Sequence, residues 1–135
     1  MKELDIKKSS QYWQKTAEHD YETMMGLFRI KRYSDALFYG HIVLEKIIKV
    51  LVVEKTKDQS PRIHDLTRLL KLSEIDYNQS DLEFLKEVNI FNIRTRYPDY
   101  KLEFYKKCNL NFSKKYFNKI QMLYKKLCQE IKYKI

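Results

Sequence analysis

Hydrophobic positions recur with the spacing of an α-helix over most of this chain. Apolar residues three and four positions apart predict a first helix over residues 10–30 and a second, with the clearest pattern, over residues 34–55. Ser9 or Ser10 is expected to cap the first helix, because a serine hydroxyl can accept a bond from an early backbone N–H. Gly40 is a poor helix former within the second helix, so it is expected to mark a close approach by another helix.

Polar residues and a proline separate these helices from a short third one. The Ser60-Pro61 step ends the second helix, because the residue before a proline is pushed out of the helical region. His64 or Asp65 is then expected in the N-terminal turn of a short helix that ends near residue 72, where an acid complements the helix dipole.

The fourth helix is predicted over residues 81–95, with Ser80 or Asp81 as its cap. Its apolar residues cover more than one face, which is typical of a helix buried among others. Pro98 is expected to end it, again through its effect on the preceding residue. Residues 99–112 are interpreted as a loop.

The last helix is predicted over residues 113–132, with Ser113 as its cap and an inward apolar stripe that includes Ile120 and Leu123. The predicted fold class is therefore all-α. We expect a single domain over residues 1–135, arranged as an up-and-down helical bundle of four long helices plus one short helix. The chain contains only two glycines for tight turns, which argues against a many-stranded protein.

The positive charge of the chain is concentrated near its C-terminus. The formal net charge is +9, and the residues from Lys101 onward contain ten lysines against two glutamates. Such an asymmetry favours an anionic partner, namely RNA, DNA, a nucleotide or an acidic protein. We assign Lys115, Lys119 and Lys126 to this basic face, although a merely solvated lysine-rich face would give the same pattern.

Several classes of protein and site are not expected. The N-terminal residues show no signal peptide, and no apolar run approaches the roughly 20 residues that span a bilayer, so we expect a cytoplasmic protein without membrane association. The two cysteines form no Cys-x-x-Cys pair, and His41 with Glu45 would supply only two ligands, so no metal site is expected. No glycine-rich phosphate loop is present, and no cofactor is expected.

Two arginines stand close to the predicted end of the fourth helix, in the sequence IRTRYPDY at residues 93–100. In the last turn of a helix, Arg94 and Arg96 complement the exposed carbonyl groups. A guanidinium at such a position can also hold a phosphate through two parallel hydrogen bonds. The local pattern leaves both interpretations open.

Further candidate side chains lie on the first two helices. Asp20 falls on the apolar stripe of the first helix, where it needs a donor partner unless it lies at the edge of the stripe, in water. His41, Glu45 and Lys49 are four residues apart and share one face of the second helix. Glu45 before Lys49 is the favourable order for a helical ion pair.

The order of these features along the chain resembles that of the HEPN domain family, in its small prokaryotic form with an RYPD motif. The features are Trp13, Ala17 and Asp20 in the first helix, ALFYGHIVLEKIIKVLV at residues 36–52, HDL at residues 64–66 and RYPD at residues 96–99. The resemblance implies a long antiparallel helix pair and a homodimer in which two copies of the helix-four terminus meet across a cleft. It also implies nucleotide or RNA binding, and a minimal nucleotidyltransferase as partner in a toxin–antitoxin-like pair.

The resemblance bears on catalysis as well. Many proteins of this family are metal-independent ribonucleases in which an arginine is followed, four to six residues later, by a histidine that moves protons. No histidine follows Arg94 or Arg96 at that spacing; Tyr100 stands there instead. Tyrosine is a poor base at neutral pH because a phenol ionises only near pH 10, but its ring can stack on a nucleobase. His41 is a conceivable substitute base if the second helix lines the cleft.

Three hypotheses follow from this comparison. In the first, the protein binds RNA or a nucleotide without the usual catalytic histidine. In the second, it is a metal-independent ribonuclease toxin with an altered acid/base, for which the candidates are Arg96, Tyr100 and His41. In the third, it is a structural interaction module in which Arg96 makes a buried ion pair with Asp20 or Glu45.

The first hypothesis gives each candidate side chain a role. Arg96 would contact phosphate with support from Arg94, and Lys49 would add positive field. Glu45 would orient an arginine. Asp20 or Asp99 would hold Arg96 in place.

Overall fold

The computed structural model describes the backbone of residues 1–135 and every side chain except that of Asp99. Over these residues the chain forms six α-helices and no strand, which confirms the all-α prediction. The helices are α1 (Glu3–Arg29), α2 (Tyr33–Thr56), α3 (Leu66–Ser73), α4 (Gln79–Arg96), α5 (Pro98–Lys107) and α6 (Leu110–Cys128). No helix in the described part of the chain is both long enough and apolar enough to cross a membrane.

Helix α2 is the centre of the bundle. Helix α1 runs antiparallel along it, since Ser10 contacts Glu54 near one end of the pair and Asp20 contacts Lys46 further along. The other four helices also pack against α2. Its apolar residues therefore face neighbours on nearly every side, and the long stretch from Ile47 to Val53 is buried.

The expected close approach at Gly40 is confirmed. A Cβ atom at this position would lie 2.5 Å from Cδ1 of Ile120 in α6, closer than real Cβ contacts come. Glycine thus lets α6 pack directly on the backbone of α2, and the lost helix propensity is offset by that contact.

The first helix begins earlier than predicted. It starts at Glu3, and the expectation that Ser9 or Ser10 caps it was wrong. Two acids in the first turn suit the helix dipole, and buried Ile6 gives the added turns a packing contact. Ser10 is fully buried within the helix, where its hydroxyl donates to Glu54 Oε2 at 2.7 Å.

Asparagines that lie two to four residues before the predicted caps begin the later helices. Asn78 accepts a bond from the backbone N–H of Asp81 at 2.7 Å, so neither Ser80 nor Asp81 caps α4. Asn109 likewise accepts from an early N–H of α6, and Ser113 is a buried residue inside that helix. At α3 the prediction is confirmed, because Asp65 accepts a bond from Thr67 N–H at 3.0 Å.

The interpretation of residues 99–112 as a loop was wrong, because Pro98 begins the short helix α5. Tyr97 is extended, as expected before a proline, but the fixed φ of proline then suits the first position of a new helix. Phe104 anchors α5: it is 1% exposed, and its ring centre lies 5.3 Å from that of Phe91 in α4. The bundle therefore has four long helices and two short ones.

Candidate functional site

An open cleft forms where α4 ends and α5 begins. Its volume is about 630 Å³, and the predicted residues Arg94 and Tyr100 both line it. The other lining residues are Ile90, Ile93, Glu103, Phe104, Lys106 and Lys107. The cleft thus combines an apolar floor with three cationic side chains and one acid.

The two arginines occupy the last turn of α4, as predicted, but they lie on different sides of the helix. Arg94 is half-buried and lines the cleft, whereas Arg96 is exposed and lies outside its lining. Among the described side chains, neither arginine has a carboxylate at salt-bridge distance. The predicted role of Asp99 falls on a side chain outside that description.

The structure corrects the expectation of a buried ion pair that involves Arg96. Asp20 lies at the edge of the apolar stripe, 13% exposed, and pairs with Lys46 of α2. Glu45 also has other partners, and the Arg96 side chain is exposed to solvent. Neither Asp20 nor Glu45 therefore forms a buried ion pair with Arg96.

Glu45 is the centre of a polar cluster between α2 and the segment before α3. Lys49 Nζ lies 3.1 Å from its Oε2, and His64 Nδ1 lies 3.1 Å from its Oε1. His41 Nδ1 lies 3.9 Å from Oε1. Glu45 is thus occupied by side chains other than an arginine, and the positive charge of buried Lys49 is offset within the cluster.

His41 is enclosed by this cluster rather than by the cleft. The residue is 2% exposed, and burial lowers its pKa, although the nearby Glu45 carboxylate acts in the opposite direction. It is absent from the cleft lining, so the structure does not bring it together with Arg94 and Tyr100.

His64 was predicted only as a residue at the start of the third helix, and its contact with Glu45 was not expected; Asn89, which bonds to His41, was not singled out at all. The side chain of Asn89 in α4 donates to Asp65 Oδ1 at 2.8 Å and accepts from Leu66 N–H at 3.0 Å. Burial alone would raise the pKa of Asp65, but bonds from Thr67 and Asn89 hold it below its ordinary value. The only signal in the sequence was the HDL tripeptide, which gives no information about α4.

The predicted basic face lies on the outer side of α6. Lys115, Lys119 and Lys126 are all exposed. Lys126 forms a salt bridge with Asp81, with Nζ 2.6 Å from Oδ2, so its charge is offset. The described part of the chain holds no group of three or more histidine, cysteine or acidic side chains that could bind a metal ion.

Comparison with known proteins adds one finding to this geometry. A family model described as the HEPN domain matches residues 10–131. Neither the curated proteins nor the solved structures gave a match.

Proposed function

The chain belongs to the HEPN domain family, and from this premise we propose that it binds RNA or nucleotide phosphates at the cleft between α4 and α5 without cutting RNA. The observation that carries the proposal is the placement of Arg94, Tyr100, Lys106 and Lys107 around one open cleft. An arginine fork and two ammonium groups recognise phosphate, and the tyrosine ring offers a face for a nucleobase.

The side chains of the cleft support binding more than hydrolysis. Cleavage of RNA without a metal requires groups that accept and donate protons near neutral pH, and histidine does this most often. The residues that line the cleft include no histidine, and the phenol of Tyr100 is a poor base at that pH. His41 is enclosed in the Glu45 cluster, away from solvent.

A mixed RNA pool incubated with the purified protein and EDTA tests the proposal. We expect the RNA to remain intact while it binds, and we expect Arg94→Ala to weaken binding by about tenfold or more, since a charge-assisted bidentate contact is lost. Arg29→Ala removes an exposed arginine at the end of α1 and serves as the matched control.

Two results would contradict this function. Metal-independent cleavage that is lost in Arg94→Ala or Arg96→Ala would instead establish a ribonuclease with an altered acid/base. Unchanged RNA and nucleotide affinity in Arg94→Ala would also contradict it, because the cleft would then not hold the phosphate.

A homodimer is part of the same proposal. Ile90, Ile93, Tyr97 and Tyr100 are large apolar or aromatic side chains that remain between 43% and 56% exposed around the end of α4. Exposed apolar clusters of this kind are typical of a protein interface, and because Ile90, Ile93 and Tyr100 also line the cleft, this interface would adjoin the RNA site. A second copy seated there would bring both pairs of arginines to one cleft.

The remaining part of the proposal is a partner protein of the minimal nucleotidyltransferase type, in a toxin–antitoxin-like pair. Its support is family membership together with the basic C-terminal third of the chain, which suits an acidic partner surface. The test is co-expression with the neighbouring open reading frame, if its product carries Gly-Ser followed by Asp-x-Asp. Co-purification of a stable complex is expected, and separate elution of the two proteins would contradict the pairing.

A further inference from the structure

Lysine side chains and aromatic rings lie together on the surface that leads from the cleft onto α6. Lys107 lines the cleft, and its ammonium also lies 5.3 Å from the centre of the Phe112 ring. Lys115 lies 5.7 Å from the ring centre of Tyr116, the residue after it. Lys119, one helical turn further along, lies 5.7 Å from the Phe84 ring centre. Lys107, Lys115 and Lys119 are called the lysine track below.

The rings beneath the lysine track form one connected group. Tyr116 contacts Phe112 with ring centres 4.9 Å apart, and it lies parallel to Phe84 at 6.1 Å. Tyr116 also meets Phe91, which in turn contacts Phe104 on the floor of the cleft. Phe112 and Tyr116 are only half-buried. The connected group of rings, which begins with Phe104 in the cleft, therefore stays partly exposed on α6.

The charge of the lysine track is available to a ligand. All three lysines are exposed, and in the described residues none of their ammonium groups has a carboxylate at salt-bridge distance. Lys126, further along α6, differs because Asp81 neutralises it. Burial raises the pKa of the Tyr116 phenol, and the carboxylate of Glu87 beside it raises that pKa further.

We propose that the ligand is a single-stranded RNA that runs from the cleft along the lysine track, rather than a mononucleotide. This inference rests on the proposed function, because the cleft would hold one part of the strand. Proteins that bind single strands combine a cationic surface that follows the backbone with aromatic rings on which bases stack. The lysine track supplies the cations, and the exposed parts of Phe112 and Tyr116 supply ring faces.

Binding of labelled oligouridylates of two lengths, about 4 and about 16 nucleotides, tests the inference by fluorescence anisotropy. We expect the longer strand to bind about tenfold tighter or more, since it alone reaches the track. The double variant Lys115→Ala/Lys119→Ala should remove this advantage and make the salt dependence of log K shallower by about 1.4. Affinity for the short strand should not change, because neither lysine lines the cleft.

The double variant Lys8→Ala/Lys15→Ala removes the same charge from exposed positions on α1 and is the matched control. Equal affinities for the two lengths, or equal losses in the two double variants, would overturn the inference. The proposed function still holds after such a result if the short strand binds and its binding depends on Arg94. If neither length binds, both fail.

Discussion

At the scale of single residues, buried His41 couples folding to pH. Burial holds its pKa below the ordinary value near 6.5, so the folded state keeps the imidazole neutral while the unfolded chain can take up a proton. The groups that act on its ring are the carboxylate of Glu45, with Oε1 3.9 Å from Nδ1, then His64 and the side-chain amide of Asn89. His41 therefore does not lower the free energy of unfolding above pH 6.5. Below pH 6.5 the free energy of unfolding falls, because the unfolded state binds the proton more readily than the folded state does.

His41→Gln should flatten this part of the pH profile. In urea unfolding of the native chain, we expect the free energy of unfolding to decrease as the pH is lowered from 7 to 5. His41 accounts for at most about 1.4 kcal/mol of this decrease per pH unit. Asp65 contributes a separate loss of stability only below about pH 4, because hydrogen bonds from Thr67 and Asn89 outweigh burial and lower its pKa. His19→Gln, at an exposed site, is the control. Equal slopes for native chain and His41→Gln would contradict the assignment.

At the scale of helices, the contact between α2 and α6 depends on Gly40. In Gly40→Ala the new methyl group meets Cδ1 of Ile120, so we expect a loss of stability of about 1–3 kcal/mol, reduced by about 1 kcal/mol through better helix propensity. Ile120→Val removes that δ carbon. The double variant should therefore be more stable than the sum of the two single changes implies, as a double-mutant cycle in urea will measure.

Gly26→Ala provides the matched control for this cycle. Apart from its chain neighbours and the nearby backbone of its own helix, no atom lies within 4 Å of a Cβ at Gly26, so the same substitution should stabilise α1 by up to about 1 kcal/mol. Additive effects of Gly40→Ala and Ile120→Val would contradict the proposed contact.

The helices also show which structural features a single sequence determines. The long apolar repeat of α2 was sufficient to predict the helix, and the poor helix propensity of Gly40 was sufficient to predict the close approach there. The caps were not predictable in the same way, since Asn78, Ser80 and Asp81 can each accept a backbone bond. Helix α5 was missed because only Phe104 of its ten residues is buried in the described structure, too few to set a period.

The candidate site also has features that the sequence predicted and features that depend on tertiary contacts. RYPD located the end of α4 correctly, because proline acts on its immediate neighbour. Which arginine lines the cleft depends on how α5 folds back over α4, a tertiary contact with no local signal. The partnership of Glu45 with His64 likewise joins residues 19 positions apart, so the face of α2 could be predicted but its partner could not.

At the scale of the whole molecule, we expect the protein to self-associate through the end of α4. The native chain should elute as a dimer in size-exclusion chromatography with light scattering, and Ile93→Asp should convert it to a monomer, since a buried unpaired charge is costly. Ile93 is 51% exposed, so the fold should tolerate the change. Leu4→Asp, at a 60% exposed site on α1, should leave the dimer intact. A monomeric native chain would contradict this interface.

Photo-cross-linking tests most directly the central claim that the cleft between α4 and α5 holds RNA. A single-stranded RNA with 4-thiouridine, irradiated with the protein in EDTA, should form adducts on the peptide that contains Tyr97 and Tyr100. Peptide mass spectrometry should show these adducts in the native chain and their loss in Arg94→Ala/Arg96→Ala. Adducts confined to Tyr12 or Tyr77, exposed tyrosines outside the cleft, or no adducts in the native chain, would contradict the account.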